Sequence, residues 1–238
     1  MILQGLSGLG DAVFLYPIAA HYAARGPVTI ATHFPNVYTR LADVSFAPYG
    51  SAPQKIKYSR QRGSNYYEDY LTTAGVDTQF FYEAPDPSET VKEIMAEARK
   101  SRRPVCLVKD PIAAHMHRNK NDLSFAPNAE RAQNWINQHA RHFYFIAADD
   151  PADFRAARLS NIDRRVSLSL RDYLALCGQV DAVASQWGHL LPIAQGLGKP
   201  LTVFSPRGPL AGFARNLTLD MLLVKKERLR NRAPVYVW

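Results

Sequence analysis

A single acidic side chain, Asp11, follows a glycine-rich loop close to the first residue of the chain. The loop reads GLSGLG over residues 5–10, and an apolar, alanine-rich stretch follows Asp11. Its G-x-x-G-x-G spacing differs from the dinucleotide-binding fingerprint, and it lacks the Gly-Lys-Ser/Thr of a Walker A loop. Two interpretations of Asp11 stay open: it only caps the helix that begins there, or its carboxylate faces a ligand.

The glycines beside Asp11 fit both interpretations. A tight turn from strand to helix accounts for them, and so does a ligand, because Gly8 and Gly10 let the backbone approach a bulky substrate. The first predicted strand ends at this loop, and doubly wound sheets bind ligands at the carboxyl ends of their strands. We therefore expect Asp11 to face a cleft, with Gly8 and Gly10 as substrate-binding residues.

The elements that must position Asp11 alternate between strand and helix patterns, which is typical of parallel sheets with crossover helices. In the first half the predicted strands cover 1–5, 27–32, 43–48 and 78–82, and the predicted helices cover 11–25 and 66–74. In the second half the predicted strands cover 104–110, 142–148, 164–169, 181–185 and 200–204, and the predicted helices cover 88–100, 128–140, 151–158, 170–178 and 189–197.

The segment EAPDPS at 83–88 is the best candidate for a linker, because it carries two prolines and two acidic residues. The alternation of strand and helix restarts after it. We therefore predict an α/β protein of two Rossmann-like halves, residues 1–87 and 88–238, that face each other across a cleft.

Composition limits the class of protein. Of the 238 residues, 47% are hydrophobic and 21% are charged, which is ordinary for a globular protein with a sizeable core. No apolar run approaches the roughly 18 residues of a transmembrane segment, and no signal-peptide pattern is visible, so we expect a cytoplasmic protein. Cys106 and Cys177 lie in apolar runs without metal-ligand spacing, and we predict that they are reduced core residues.

The net charge of +8 favours anionic partners but does not name one. Basic residues cluster at 99–103 and at 225–232. Each cluster is either a solvated surface or a surface for phosphate-bearing acceptors, such as lipid headgroups or nucleic acid.

Two segments together resemble the heptosyltransferase family of bacterial lipopolysaccharide synthesis. In the first, Gly8-Leu9-Gly10-Asp11 opens a helix that contains Pro17, similar to the family's Gly-x-Gly-Asp loop and the Thr-Pro that follows it. The second, IAQGLGKPLTVFSP at 193–206, is similar to the family's Ala-Ala-Ala-Leu-Gly-Lys-Pro element and its following apolar strand. The pattern extends over most of the chain, and these two segments are its specific part.

The resemblance implies a glycosyltransferase-B fold and an inverting, metal-independent transfer of a sugar. The donor would be a nucleotide-sugar, and the acceptor an anionic or carbohydrate molecule whose hydroxyl Asp11 deprotonates. No cofactor is implied. The resemblance places the donor phosphates near Ser185, Gln186, Gly188 and His189, and near a basic loop at 109–122 in which Arg118 and Lys120 rank above Lys109.

The chain departs from the family just before IAQGLGKP. Alignment on 197–200 puts Trp187 at the family's acidic position and Pro192 at its histidine, whereas a shift of three residues lets His189 replace the histidine. Two alternatives therefore stay open: an inactive relative that binds ligands, with Trp187 filling the donor pocket, and a nucleic-acid-binding or nucleic-acid-modifying protein. The chain has no Asp-x-Asp motif, which agrees with transfer without a metal ion.

Other polar clusters have simpler interpretations. His115 and His117 lack a third ligand at metal-binding spacing. The three aspartates within 149–153 are expected to begin a helix, with a contact to ribose as the alternative. The tyrosine-rich stretch at 58–70 is a candidate acceptor loop, because aromatic rings stack on sugars and bases.

Overall fold

The computed structural model describes residues 1–53, 55–56, 64–110, 126–149, 158–186, 188–204 and 219–238. The strands in these residues form two sheets whose pairings are parallel, and helices connect and cover them. The predicted α/β class with two parallel sheets is therefore confirmed.

The first sheet has the order β1-β2-β3 and belongs to the N-terminal part of the chain. Its strands are β1 (Ile2–Leu3), β2 (Val28–Ala31) and β3 (Val44–Ala47). Helix α1 (Leu9–Ala23) connects β1 to β2, and helix α2 (Tyr66–Ala74) follows β3. The loop with Asp11 consequently lies at the carboxyl end of β1, as predicted.

The second sheet has the order β6-β5-β4-β7-β8-β9. Its strands are β4 (Val105–Val108), β5 (Tyr144–Asp149), β6 (Arg164–Ser167), β7 (Ala182–Ser185), β8 (Leu201–Val203) and β9 (Val235–Val237). The helices among them are α3 (Glu89–Lys100), α4 (Ala126–His139), α5 (Leu170–Gln179), α6 (Leu190–Leu197) and α7 (Leu219–Leu222). Strands β5 and β6 follow β4 on one side of the sheet. The order then reverses, and β7, β8 and β9 follow on the other side of β4. Ligands of doubly wound sheets bind at such a reversal.

Local sequence explains where several of these helices begin. Asn65, Ser88 and Ser169 lie at the N-caps of α2, α3 and α5, and each side-chain oxygen accepts a hydrogen bond from a backbone amide three residues later. Gly75 ends α2 with φ of 67°, a left-handed conformation that favours glycine.

Two helices join the sheets because each is apolar on most of its surface. Every residue of α1 from Ala12 to Ala19 is buried, and so is every residue of α6 from Leu190 to Gly196. A helix that is apolar all round has to be covered on all sides, and α1 and α6 pack against each other. Their buried side chains belong to one core that includes residues of both sheets.

The C-terminal segment returns to the N-terminal part of the molecule. The side-chain amide of Asn65 donates hydrogen bonds to the carbonyl oxygens of Asp220 at 3.1 Å and Leu223 at 2.7 Å. The amide of Phe80 donates to the carbonyl of Arg228 at 2.6 Å, and Phe80 forms an isolated parallel bridge with Leu229. We call residues 219–230 the C-terminal strap.

The structure corrects two features of the predicted element order. The strand predicted over 78–82 is wrong: Phe80 makes only the isolated bridge, and the rings of Phe80, Phe81 and Tyr82 are buried against other elements. Strand β9, which was not predicted, follows the basic run near the C-terminus. The helix predicted over 151–158 lies almost wholly outside the described residues.

Candidate active site

The first turn of α1 holds Asp11 by a reciprocal cap. Gly8 is the N-cap residue, Asp11 is the third residue of the helix, and its Oδ2 accepts a hydrogen bond from the Gly8 amide at 3.0 Å. A Cβ atom added to Gly8 would lie 2.7 Å from Oδ2, so the carboxylate occupies the space that only glycine leaves free. The capping interpretation of Asp11 is therefore confirmed, and it leaves the second oxygen of the carboxylate for other partners.

Tyr70 on α2 supplies a partner for that second oxygen. Its hydroxyl donates to Oδ1 of Asp11 at 3.1 Å, and the amide of Leu6 donates to the same hydroxyl at 3.4 Å. The sequence analysis included Tyr70 in a candidate acceptor loop at 58–70 and did not predict its hydrogen bond to Asp11.

Burial raises the pKa of the Asp11 carboxyl above its ordinary value. The hydrogen bonds from Gly8 and Tyr70 lower that pKa, but by less than burial raises it. A carboxylate whose proton affinity is increased in this way is suited to accept a proton from a substrate hydroxyl.

The first turn of α6 lies against the first turn of α1. A Cβ atom added to Gly10 would lie 3.4 Å from Cα of His189, the residue at the N-cap of α6. Gly188 precedes it with φ of 147°, a conformation that side chains rarely adopt. Nε2 of His189 lies 2.9 Å from the hydroxyl of Tyr173 on α5. The structure thus brings Gly8, Gly10, Asp11, Gly188 and His189 to one place.

The reversal of strand order between β4 and β7 lies next to this turn. Ser185 ends β7 and Gln186 follows it, and both side chains are buried. Among the described residues, neither Ser185 Oγ nor Gln186 Oε1 has a hydrogen-bond partner. Buried polar atoms normally have partners, so these two atoms indicate a place where a ligand or water completes the bonding.

Lys109 and Asp110 follow β4 at the same edge of the second sheet. The Lys109 amide donates to the carbonyl of Ala184 at 3.2 Å, and the side chain of Lys109 is buried. The Asp110 carboxylate accepts from the Leu159 amide at 3.0 Å and pairs with Arg165 of β6 at 2.5 Å. Sequence reasoning missed this pair, although an acid directly after a buried strand was a usable signal. The contacts of Asp110 with Leu159 and Arg165 fix the segment after β5 to the edge of the sheet where β4 ends.

Several predicted site residues lie outside the described residues. Arg118 and Lys120 of the basic loop, His115 and His117 beside them, and Trp187 are among them. Their predicted roles therefore stay predictions.

The tyrosines at 66–70 do not form an exposed acceptor loop. Tyr66, Tyr67 and Tyr70 are buried in α2. They face the core because α2 needs an apolar side, so their rings offer no open stacking surface to a sugar.

Two arginines of the basic cluster at 99–103 pair with carboxylates of the protein itself. Arg99 forms two hydrogen bonds with Asp181, at 2.5 and 2.9 Å, and Arg103 pairs with Asp163 at 2.6 Å. Asp181 also accepts from the Val105 amide, which ties this pair to β4. These charges are compensated within the molecule and weaken the case for an anion-binding surface here.

The second basic cluster, at 225–232, is partly compensated as well. Arg228 pairs with Glu68 at 2.9 Å and with Asp77 at 2.5 Å, which fastens the C-terminal strap to α2 and the chain after it. The guanidinium of Arg230 lies 3.4 Å from the centre of the Phe81 ring, a cation–π contact.

The part of the chain that the structure describes contains no group of three metal-ligating side chains and no helix long and apolar enough to cross a membrane. Both cysteines are free and buried there, and burial raises the pKa of the Cys177 thiol to about 12, so the predicted core role of both is confirmed.

Comparison with solved structures places this geometry in a known fold, although no protein-family model and no curated protein sequence matches the chain. A glycosyl transferase of family 9 from Veillonella parvula DSM 2008 is similar over 99% of this chain and 86% of its own, with a TM-score of 0.57 and 10% identity. The E. coli ADP-heptose lps heptosyltransferase II is similar over 92% of this chain and 88% of its own, with a TM-score of 0.57 and 14% identity.

A third structure, the dodecameric iron-containing glycosyltransferase TibC from enterotoxigenic E. coli H10407, is similar over 85% of this chain. The match covers 58% of TibC, with a TM-score of 0.51 and 10% identity. At these identities the likeness concerns the fold. The chain has the fold of family 9 glycosyltransferases and heptosyltransferases, and the resemblance carried by its two motifs is confirmed at that level.

Proposed function

We propose that this protein is an inverting, metal-independent glycosyltransferase that moves a sugar from a nucleoside-diphosphate donor to a hydroxyl acceptor. One observation carries the proposal. The partly buried carboxylate of Asp11 follows the carboxyl end of β1, in the helix turn that packs against the N-terminus of α6. Helix α6 itself follows β7, where the strand order of the second sheet reverses. A base and an anion-binding edge thus belong to one site.

The base acts on the acceptor. Asp11 takes the proton of the acceptor hydroxyl while the oxygen forms a bond to the anomeric carbon of the donor sugar. The bond from that carbon to the diphosphate oxygen breaks on the opposite side, and its electron pair leaves with the nucleoside diphosphate. Attack opposite the leaving group inverts the anomeric centre and needs no covalent intermediate.

The leaving diphosphate carries negative charge, and groups at the edge of the second sheet are proposed to stabilise it. Helix α6 begins at Leu190, five residues after β7 ends at Ser185 beside the strand reversal, and helix N-termini stabilise phosphates. The unpartnered polar atoms of Ser185 and Gln186 support a role in donor binding, together with Gly188 and His189. Arg118 and Lys120 are proposed to add positive charge.

The acceptor is proposed to bind on residues 1–87 and the donor on residues 88–238. The boundary between these halves stays a prediction, as do a cytoplasmic location and a carbohydrate or anionic acceptor. Because one structural neighbour is an ADP-heptose heptosyltransferase, ADP and ADP-heptose are the first donor compounds to test.

A screen of nucleotides tests the proposal. Ligands that bind the folded state raise its melting temperature, so ADP, UDP, GDP and CDP and their sugar derivatives are compared by thermal shift. We expect one nucleoside diphosphate to stabilise the protein and its sugar conjugate to be consumed with an acceptor. A screen without any stabilising nucleotide would contradict the proposal.

A ligand-binding relative without activity is the second candidate, favoured by Trp187 at the family's acidic position. It predicts stabilisation by a nucleotide with neither transfer nor hydrolysis of the donor. The nucleic-acid alternative is less favoured, because Arg99, Arg103 and Arg228 are already paired with carboxylates. Salt-dependent DNA binding at low ionic strength would revive it.

A further inference from the structure

The hydroxyl of Tyr70 connects the glycine-rich loop to Asp11. The Leu6 amide lies 3.4 Å from the hydroxyl oxygen, and Oδ1 of Asp11 lies 3.1 Å from it. An amide N–H can only donate, so the oxygen accepts from Leu6 and the phenol proton is left for the carboxylate. The direction of the chain of hydrogen bonds is therefore fixed: from Leu6, through Tyr70, to Asp11.

The two oxygens of Asp11 are held from different elements. Gly8, at the start of α1, donates to Oδ2, and Tyr70, in the middle of α2, donates to Oδ1. Two donors on opposite oxygens define the plane of a carboxylate, and each oxygen keeps a lone pair for a further partner. Tyr70 is itself fully buried, so its ring is fixed by packing.

We propose that Tyr70 is a positioning residue of the active site, which orients the Asp11 carboxylate toward the acceptor hydroxyl and stabilises its ionised form. This role rests on the proposed function of Asp11 as the base. Tyr70 does not itself take or give the transferred proton: its own proton stays in the hydrogen bond to Oδ1.

Other titratable side chains near this turn have separate roles. The hydroxyl of Tyr38, from the 3₁₀ helix at Pro35–Tyr38, donates to the carbonyl of Ala12 at 2.9 Å, and burial raises its pKa far above its ordinary value. His189 on α6 meets Gly10 through its backbone, with Nε2 beside Tyr173. The titration of Asp11 itself is therefore measured beside the pH profile of transfer.

The experiment compares Tyr70→Phe with Tyr67→Phe. Tyr67 is a matched control: it lies one turn earlier on α2, is fully buried, and donates its hydroxyl to the carbonyl of Thr78 at 3.0 Å instead of to Asp11. The titration of the Asp11 carboxyl carbon is followed by NMR in both variants, and transfer is measured as a function of pH.

We expect Tyr70→Phe to raise the pKa of Asp11, because a hydrogen bond that favours the ionised form is lost. The acid side of the transfer profile should move to higher pH, and the rate at a pH on that side should fall roughly tenfold, the usual worth of a hydrogen bond to a charged group. Tyr67→Phe should change neither the pKa of Asp11 nor the pH profile of transfer. In an Asp11→Asn background, Tyr70→Phe should have no further effect on transfer.

Identical Asp11 titrations in the two phenylalanine variants would overturn the proposal, whatever their transfer rates. The proposal would also be overturned if Tyr70→Phe reduced transfer in the Asp11→Asn background as much as it does in the wild type. If the wild-type protein transfers no sugar while its Asp11 titration responds to Tyr70→Phe, the proposed function fails and the orienting hydrogen bond stands.

Discussion

At the scale of single residues, Asp11 combines two demands that oppose each other. Its cap on Gly8 and its hydrogen bond from Tyr70 favour the charged form, and its burial disfavours that form. The net result is a raised pKa, which costs the folded protein stability when Asp11 is ionised. Groups placed for catalysis often carry such a cost, whereas the hydrogen bonds of a solvent-exposed cap lower the pKa of its carboxyl.

Asp11→Asn separates the two roles. An amide keeps an oxygen that can accept from Gly8 but cannot take a proton, so transfer should fall by roughly 10²–10⁴-fold, the usual worth of a general base. Donor binding should stay near that of the wild type. Transfer at the wild-type rate would show that Asp11 is only a cap.

The stability of the Asp11→Asn variant is a second, independent measurement of the role of Asp11. The raised pKa means that the folded state gains stability from the protonated carboxyl, which is complete below the ordinary pKa of aspartate and lost as pH rises through the folded pKa. Asn has no such dependence. At neutral pH we therefore expect the free energy of unfolding of Asp11→Asn, measured in urea, to equal or exceed that of the wild type; a large loss would mean a structural role.

Ser185 carries a second prediction at this scale. Its buried Oγ has no partner among the described residues, so Ser185→Ala should leave the stability of the protein about unchanged. If the hydroxyl binds the donor, the affinity for the nucleoside diphosphate should weaken roughly two- to tenfold, as measured by calorimetry. Ser169→Ala is the control: it removes the cap of α5, should cost about 1 kcal/mol of stability, and should leave donor affinity intact.

At the scale of elements, the site depends on the contact between the first turns of α1 and α6. Both helices are apolar on most of their surface, which makes them pack together and brings a loop from each sheet to one place. Gly10 lies at this contact, where an added Cβ atom would be 3.4 Å from Cα of His189. The packing of two buried helices thus decides where Asp11 meets the loop between β7 and α6.

The two glycines of the loop should respond differently to an added methyl group. In Gly8→Ala the Cβ would lie 2.7 Å from Asp11 Oδ2, and the easiest relief is rotation of that carboxylate, so the fold survives while the base moves. We expect transfer to fall roughly 10- to 100-fold. In Gly10→Ala the nearest atom is 3.4 Å away, an ordinary contact, and the loss should be smaller. Equal losses in the two variants would argue against this geometry.

Sequence patterns predicted most of the helices and strands but not the elements against which they pack. Apolar periodicity located α2 at Tyr66–Ala74 with its bounds correct, because Asn65 and Gly75 mark both ends. The run at 78–82 has the composition of a strand, yet its aromatic rings are used to fill the core. Strand β9 escaped prediction because it is three residues long and follows a charged run. In both cases tertiary packing overrides local preference.

The candidate site was predictable only in part, for a related reason. A motif identified Asp11, Gly8 and Gly10, because glycines beside an acid are visible in a short window. Tyr70 was not visible, because its role comes from a hydrogen bond between residues 59 positions apart. The compensation of Arg228 by Glu68 spans 160 positions, and charge counting along the sequence cannot detect it.

At the scale of the whole molecule, the C-terminal strap leads from β8 to β9 of the second sheet and contacts α2, which follows the first sheet. Its contacts include the paired hydrogen bonds of Asn65, the bridge at Phe80 and the ion pairs of Arg228. The ion pairs are partly exposed, so they contribute little on their own. The hydrogen bonds of Asn65 are more buried, and we expect them to contribute more to the stability of the connection.

Asn65→Asp tests the strap without disturbing the helix it caps. Asp is as good an N-cap as Asn, so the bond to the Glu68 amide survives, but the two donors to the carbonyls of Asp220 and Leu223 are replaced by a carboxylate oxygen. We expect a loss of roughly 1–3 kcal/mol in the free energy of unfolding and faster proteolysis within 219–230. Ser88→Asp, which changes the cap of α3 outside the strap, should show neither effect. If Asn65→Asp unfolds like the wild type, the hydrogen bonds between Asn65 and the strap do not stabilise the fold.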